Sequence, residues 1–240
     1  MIKFFRRIRK DLMETGKTSK YLKYAIGEII LVVIGILIAL QINNWNENRK
    51  AEAELIDVYK QIVLDLDNDI PELSSNLERY ENLKPVFDKV LSDSRTVDLL
   101  DDGLSRIVSW APHTNLNNSG INRLKSITVN DSLSLKIIET YDLLKNVYIL
   151  PLEKNIGDQA KMFTSKYRDK YDWYPEWINK RITKDNSSEE LQDYFVNSRE
   201  YRHYVISSYQ QIYNRYVPAL EVQIPKLKNI RNELRLKIDK

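Results

Sequence analysis

The sequence predicts an all-α protein in which one N-terminal transmembrane helix continues into an elongated, antiparallel helical bundle outside the cytoplasm. Three observations predict this class. Only 6 Gly and 7 Pro occur in 240 residues, so the turn residues that a β architecture needs are scarce. Apolar residues recur every three or four positions along much of the chain, which is the period of an amphipathic helix. One stretch near the N-terminus is almost entirely aliphatic.

Residues 21–46 are predicted to cross a membrane. Between positions 24 and 42 only Glu28 and Gln41 are strongly polar, and about 20 mostly apolar residues suffice to cross ~30 Å of hydrocarbon. No small-residue cleavage site follows the run, which favours a retained helix over a signal peptide. Aromatic residues flank the run, as in interfacial belts: Tyr21, Tyr24 and Trp45.

The basic residues precede this span. Residues 1–23 carry eight Lys or Arg against two acids, whereas the rest of the chain has a net charge of −3. Because positive charge stays on the cytoplasmic side, residues 1–20 are predicted to be a cytoplasmic tail and residues 47–240 an extracytoplasmic domain, which in a bacterium lies in the periplasm. This distribution argues against nucleic acid as a partner. Four candidate membrane-surface cations lie on a short amphipathic helix or in a disordered stub: Arg6, Arg7, Arg9 and Lys10.

Glu28 has two possible roles. It lies five residues past Lys23, hence ~7–8 Å deeper along a helix, where its side chain can still reach the headgroups. The alternative is a deeper carboxylate that couples to an ion. Small residues nearby would let a second helix approach closely, from another copy or from another membrane protein. The candidate helix-association residues are Gly27, Glu28, Gly35 and Ala39.

The segment YAIGEIILVVIGILIALQINNWNE, together with the preceding MIKFFRRIRK, resembles the start of a widespread family of uncharacterised Bacteroidota inner-membrane proteins that share a domain of unknown function. A weaker likeness continues through residues 118–124 and 133–141. The resemblance implies a single-span protein with a periplasmic helical domain. It implies no established activity, and therefore no catalytic residues.

After the span, the apolar period predicts four to six helices. The span is expected to continue into a helical stalk that Pro71 and Pro85 divide into two or three pieces. Residues 101–128 are expected to form short helices and loops, and the helix over residues 131–171 is expected to bend at Pro151.

The last third of the chain begins with a predicted loop over residues 171–188. Ser187 and Glu190 form a capping box before a short helix, and a long helix is expected over residues 201–234. Residues 46–105 carry 15 acids against 7 bases, whereas residues 154–240 carry 12 acids against 17 bases. This complementarity favours antiparallel packing, although exposed ion pairs contribute only ~0–1 kcal/mol each.

No metal, cofactor or catalytic site is predicted. Asp65, Asp67 and Asp69 have the spacing of a calcium-loop start, but Ile70 and Asn76 occupy the positions that need glycine and a bidentate acid. We therefore expect a solvated or arginine-paired face. The chain has no cysteine, and its two histidines lack neighbouring ligands: His113 and His203.

Thirteen aromatic residues fall within residues 163–216. Tyrosine and tryptophan fill narrow helical cores, but they also form binding surfaces for proteins, peptides and sugars. We expect core packing for most of them. Trp173 and Trp177 flank Pro175 in the predicted loop and are the candidate partner surface.

These patterns predict a non-enzymatic, single-pass membrane protein that contacts the lipid bilayer. Its periplasmic helical domain is expected to be an interaction or scaffold module in an envelope complex or oligomer, with a periplasmic partner that the sequence does not identify. The alternative is a sensor that signals through the transmembrane helix. A hydrolase has no supporting residues.

Overall fold

The computed structural model describes residue 10 and residues 18–128, 131–183 and 188–239. The chain divides into two units, Met1–Leu55 and Ile56–Lys240, each of which is described by itself. All regular structure in the described ranges is helical, which confirms the all-α class. The first helix, α1, comprises Thr18–Leu91.

In the first unit, the apolar residues of α1 are exposed on every side. The most apolar window of 18 residues has a mean hydropathy of 2.6, and none of it is buried. Among the described residues, α1 is the one helix long and apolar enough to cross a membrane. An aliphatic surface of this kind is unfavourable in water and favourable in hydrocarbon.

Helix α1 continues through Pro71 and Pro85, so the predicted division of the stalk is wrong. Each proline removes one backbone hydrogen bond, which disfavours a helix interior. The buried stripe of α1 nevertheless continues across both prolines. Packing of this stripe offsets the local cost. Its buried apolar residues are Val58, Tyr59, Ile62, Leu66, Ile70, Leu73, Tyr80, Val86, Phe87 and Val90.

After α1, a 3₁₀ turn spans Val97–Leu100. The remaining helices are α2 (Ser119–Ser126), α3 (Ser132–Leu143), α4 (Leu150–Lys170), α5 (Tyr174–Thr183), α6 (Glu189–Asn197), α7 (Arg199–Gln211) and α8 (Val217–Ile238). Helix α5 occupies most of the predicted loop, so that prediction is wrong. Ser188 caps α6, while Ser187 of the predicted capping box lies outside the described residues.

Two segments of π-helix join longer helices. Leu144–Tyr148 lies between α3 and α4, and Ile212–Tyr216 lies between α7 and α8. Each precedes a proline at the start of the next helix, Pro151 or Pro218. Proline cannot donate a backbone hydrogen bond and clashes with the carbonyl four residues earlier, so a wider turn accommodates it. A bend at Ile149 confirms the predicted interruption near Pro151.

The second half of α1 contacts α8 and the π segment that precedes it. Asp67 accepts hydrogen bonds from Arg231 at 3.0 Å and from Arg235 at 2.9 Å. The Tyr213 hydroxyl donates to the carbonyl of Tyr80 at 2.7 Å. The expected pairing of an acidic segment with a basic one therefore occurs at Asp67.

Candidate functional site

Four carboxylates fix the segment that leads into α2. They project from α1 and α4 and accept hydrogen bonds from backbone amides of residues 114–120. The pairs are Glu153 with Thr114 at 2.8 Å, Glu72 with Asn115 at 3.2 Å, Asp69 with Asn117 at 3.0 Å and Asp65 with Gly120 at 2.7 Å. Side chains here satisfy amides that would otherwise lack partners inside the fold.

This arrangement corrects the expectation for the acidic triplet. Asp67 is arginine-paired, as expected, but Asp65 and Asp69 are buried and bind backbone amides. Burial raises the pKa of Asp69; the hydrogen bonds from Asn117 oppose this effect, and the charges of Asp65 and Glu72 add to it. Asp69 is therefore a structural carboxylate whose ionised form is disfavoured by its surroundings.

The substitution Asp69→Asn is expected to stabilise the protein near neutral pH by about 1 kcal/mol, because it removes a buried charge and keeps an acceptor for Asn117. The folded-state pKa of Asp69 is raised above 3.8. The contribution of this aspartate to stability is therefore fully present below pH 3.8 and is lost as the pH rises through the folded-state pKa. The advantage of Asp69→Asn should therefore grow with pH. Denaturant unfolding of both full-length chains in micelles between pH 3 and 7 measures it; an advantage that shrinks with pH would contradict the assignment.

Glu153 joins the same segment to the second π segment, which precedes α8. Its carboxylate is buried and accepts from the hydroxyls of Thr114 and Tyr216, each at 2.5 Å. Tyr216 ends the second π segment, and burial followed by the charge of Glu153 raises its pKa. These groups satisfy one another, so the cluster holds the fold together and offers no free acid or base for catalysis.

A groove lies between α1 and residues 102–110. Its volume is about 610 Å³, within the ~300–1,000 Å³ typical of ligand pockets. Leu83 and Ile107 contribute apolar side chains. The other lining residues are Ser75, Glu78, Arg79, Asn82, Asp102, Gly103, Arg106 and Trp110. Gly103 has a φ of +106°, a conformation that suits glycine and shapes this wall.

The groove combines arginine with a half-buried tryptophan. The guanidinium of Arg79 lies over the ring of Trp110, 4.1 Å from its centroid. Trp110 in turn contacts the buried ring of Tyr80, with centroids 5.0 Å apart. Arg106 is exposed on the wall opposite α1. Tryptophan and arginine are the residues enriched at the energetic centres of protein interfaces.

The aromatic cluster forms core, as expected for most of its members. Tyr167 is fully buried and contacts six rings: Tyr171, Trp173, Trp177, Tyr194, Phe195 and Tyr204. The expectation that Trp173 and Trp177 are exposed is wrong, since they are 4% and 1% exposed. Trp173 immediately precedes α5 and Trp177 lies in its first turn, and both rings pack against Tyr167. The indole N–H of Trp177 donates to the carbonyl of Ser105 at 3.0 Å.

The other predicted site residues lie in the first unit. Gly27, Gly35 and Ala39 are exposed, a side chain at either glycine would meet open space, and Glu28 is half-buried. Lys10 is exposed. Three of the tail cations lie outside the described residues: Arg6, Arg7 and Arg9.

No metal-binding group emerges from the described ranges, in which no three His, Cys, Asp or Glu side chains converge on one point. Both histidines are exposed. The groove was not predicted from the sequence. Its one sequence signal is Trp110, an isolated tryptophan four residues after Arg106 in a segment that glycine and proline interrupt.

Within the ranges that the structure describes, the protein is all-helical, one helix could span a membrane, and the packed helices of the second unit carry a surface groove. The chain belongs to the family of unknown function DUF6090, whose pattern matches residues 28–197. This match includes most of the apolar segment and all residues that line the groove. No curated protein and no solved structure matches the chain.

Proposed function

We propose that this protein is a non-enzymatic, single-span protein of the bacterial inner membrane and that its helical bundle is a periplasmic interaction module. The groove at Arg79, Arg106 and Trp110 carries this proposal. The aromatic cluster around Tyr167 is buried in the core, whereas the groove presents a tryptophan and two arginines at the surface. The partner is then a protein that occupies the groove, and the module assembles it at the membrane.

The orientation rests on charge. Eight cations precede the apolar segment, and they favour a cytoplasmic N-terminus and a periplasmic bundle. Contacts along α1 support an antiparallel bundle: Asp67 meets Arg231, Tyr80 meets Tyr213, and the carbonyl of Leu91 accepts from Arg202. Residue numbers in α7 and α8 thus decrease as those in α1 increase.

A sensor is the second candidate, because α1 runs without interruption from the apolar segment to the core of the bundle. In that case, occupation of the groove would bias a conformational equilibrium that involves α1. The two π segments belong to a rare helix type that occurs frequently at functional sites.

The absence of cysteine allows a direct test of location and contact. In the single-cysteine variant Asn82→Cys, the thiol at the groove is expected to react with a membrane-impermeant maleimide when only the outer membrane is permeable. A short thiol-reactive crosslinker is expected to join the same position to a specific protein in intact cells, and Arg79→Glu should abolish that adduct by reversing the charge beside it.

Two variants control this experiment. Lys10→Cys should react only after the inner membrane is opened, and Lys228→Cys, an exposed position on α8 outside the groove, should give no specific adduct. If Lys10→Cys were labelled and Asn82→Cys were not, the protein would have the opposite orientation in the membrane. Absence of an adduct at position 82, or the same adduct at position 228, would refute the role of the groove.

A further inference from the structure

We infer that the groove binds a peptide segment of a partner protein through one aspartate or glutamate side chain, whose carboxylate pairs with Arg79 and Arg106. This inference rests on the proposed function, because it names the chemistry that the partner presents to the same surface. Four features of the groove carry it: a restrained arginine, a second arginine on the facing wall, acidic residues beside them, and an apolar floor.

Arg79 is restrained before any ligand binds. Its guanidinium lies over Trp110, and Trp110 is fixed against the buried Tyr80. A cation–π contact limits the motion of the side chain without using a carboxylate or carbonyl acceptor, so N–H donors stay available. Less side-chain entropy is then lost when a carboxylate binds.

Arg106 supplies a second cation from the facing wall of the groove. Neither guanidinium has an ion pair or an acceptor among the residues that the structure describes. By contrast, Arg231 and Arg235 already share Asp67. Charge-assisted bonds from guanidinium to carboxylate are strong and directional. A groove lined by two unpaired guanidiniums offers a carboxylate the kind of pairing that Asp67 receives from Arg231 and Arg235.

The acids of the groove restrict the ligand further. Glu78 and Asp102 balance Arg79 and Arg106, so the formal charge of the lining is zero. A polyanion such as nucleic acid, polyphosphate or an anionic lipid surface gains no net attraction from this lining. A single carboxylate flanked by uncharged residues is repelled less by Glu78 and Asp102 than a polyanion is. Leu83 and Ile107 provide apolar surface for the uncharged residues on either side of that carboxylate.

Two short peptides test the inference with the full-length protein in detergent micelles. The probes are acetyl-Ala-Leu-Glu-Leu-Ala-amide and the same peptide with glutamine in place of glutamate, each with a fluorophore for anisotropy. The glutamate peptide is expected to bind at least about 10-fold more tightly, as one charge-assisted contact implies. Arg79→Gln and Arg106→Gln should each abolish this preference, and Arg79→Lys should fail to restore it, because lysine lacks the planar fork.

Arg168→Gln is the matched control, because Arg168 pairs with Asp169 outside the groove and its loss should leave the preference intact. Equal binding of both peptides, no binding of either, or a preference that survives in both arginine variants would overturn the inference. Competition by pyrophosphate with an affinity equal to that of the glutamate peptide would also overturn the inference, in favour of a general anion site.

The inference would likewise be overturned if the glutamine peptide with a free C-terminal carboxylate bound as tightly as the glutamate peptide, because the groove would then recognise a chain end. If the peptides fail while the adduct at position 82 persists, the proposed function stands with another ligand chemistry.

Discussion

Replacing Trp177 by alanine is expected to lower the free energy of unfolding by ~3–5 kcal/mol, the range for truncating a large buried aromatic side chain. Trp177 is 1% exposed, contacts the ring of Tyr167 at 5.4 Å and donates its indole N–H to the carbonyl of Ser105. Alanine would leave a cavity in the aromatic core and one unsatisfied carbonyl. Denaturant unfolding of the full-length protein in micelles, followed by circular dichroism, measures the loss.

The same substitution at Trp45 is the matched control, because Trp45 is 64% exposed. Trp45→Ala should change the unfolding free energy of the bundle by less than ~0.5 kcal/mol. Trp177→Phe should give an intermediate loss, since it keeps an aromatic ring but not the hydrogen bond. Equal effects at positions 45 and 177 would show that the aromatic core is not packed as described.

Replacing Gly120 by alanine is expected to destabilise the bundle by ~3 kcal/mol, at the upper end of the cost of overpacking. A Cβ at this position would lie 2.5 Å from Cγ1 of Ile62 and 2.8 Å from its backbone nitrogen. The side chain could move, but the backbone of α1 could not without disturbing the hydrogen bond from Gly120 to Asp65. The measurement is the shift in the denaturant midpoint at unchanged slope.

Gly157 provides the matched control within the same fold. It lies inside α4, and an added Cβ would meet only Ala111 at 3.8 Å, an ordinary contact. Gly157→Ala should therefore be neutral or stabilise the protein by up to ~1 kcal/mol through helix propensity. If both substitutions had the same sign, the close approach of α2 to α1 at Gly120 would be refuted.

The sequence predicted the helical class and most helix positions, because the apolar period directly records which face of a helix is buried. It failed at Pro71 and Pro85, where local propensity opposes a helix but packing on both sides of each proline maintains one. It also failed at residues 171–188. There Trp173 and Trp177 lie beside a proline that suits the first turn of a helix as well as it suits a loop.

The groove could not be predicted, because its walls come from segments whose side chains carry no shared pattern. Ser75, Arg79 and Asn82 lie on one face of α1, a stripe that is typical of any solvated helix. Arg106 and Trp110 belong to turns that a periodicity argument does not describe. The acidic residues were visible in sequence, but their burial depends on amides of residues 114–120 that approach only in the folded chain.

The pairing of Asp67 with Arg231 has a consequence for synthesis. These residues are separated by 164 positions, and at ~5–20 residues per second a ribosome takes ~8–33 s to make the intervening chain. During that interval the apolar stripe of α1 has no C-terminal helices to cover it. Final closure of the bundle must therefore follow, rather than accompany, emergence of the first helix.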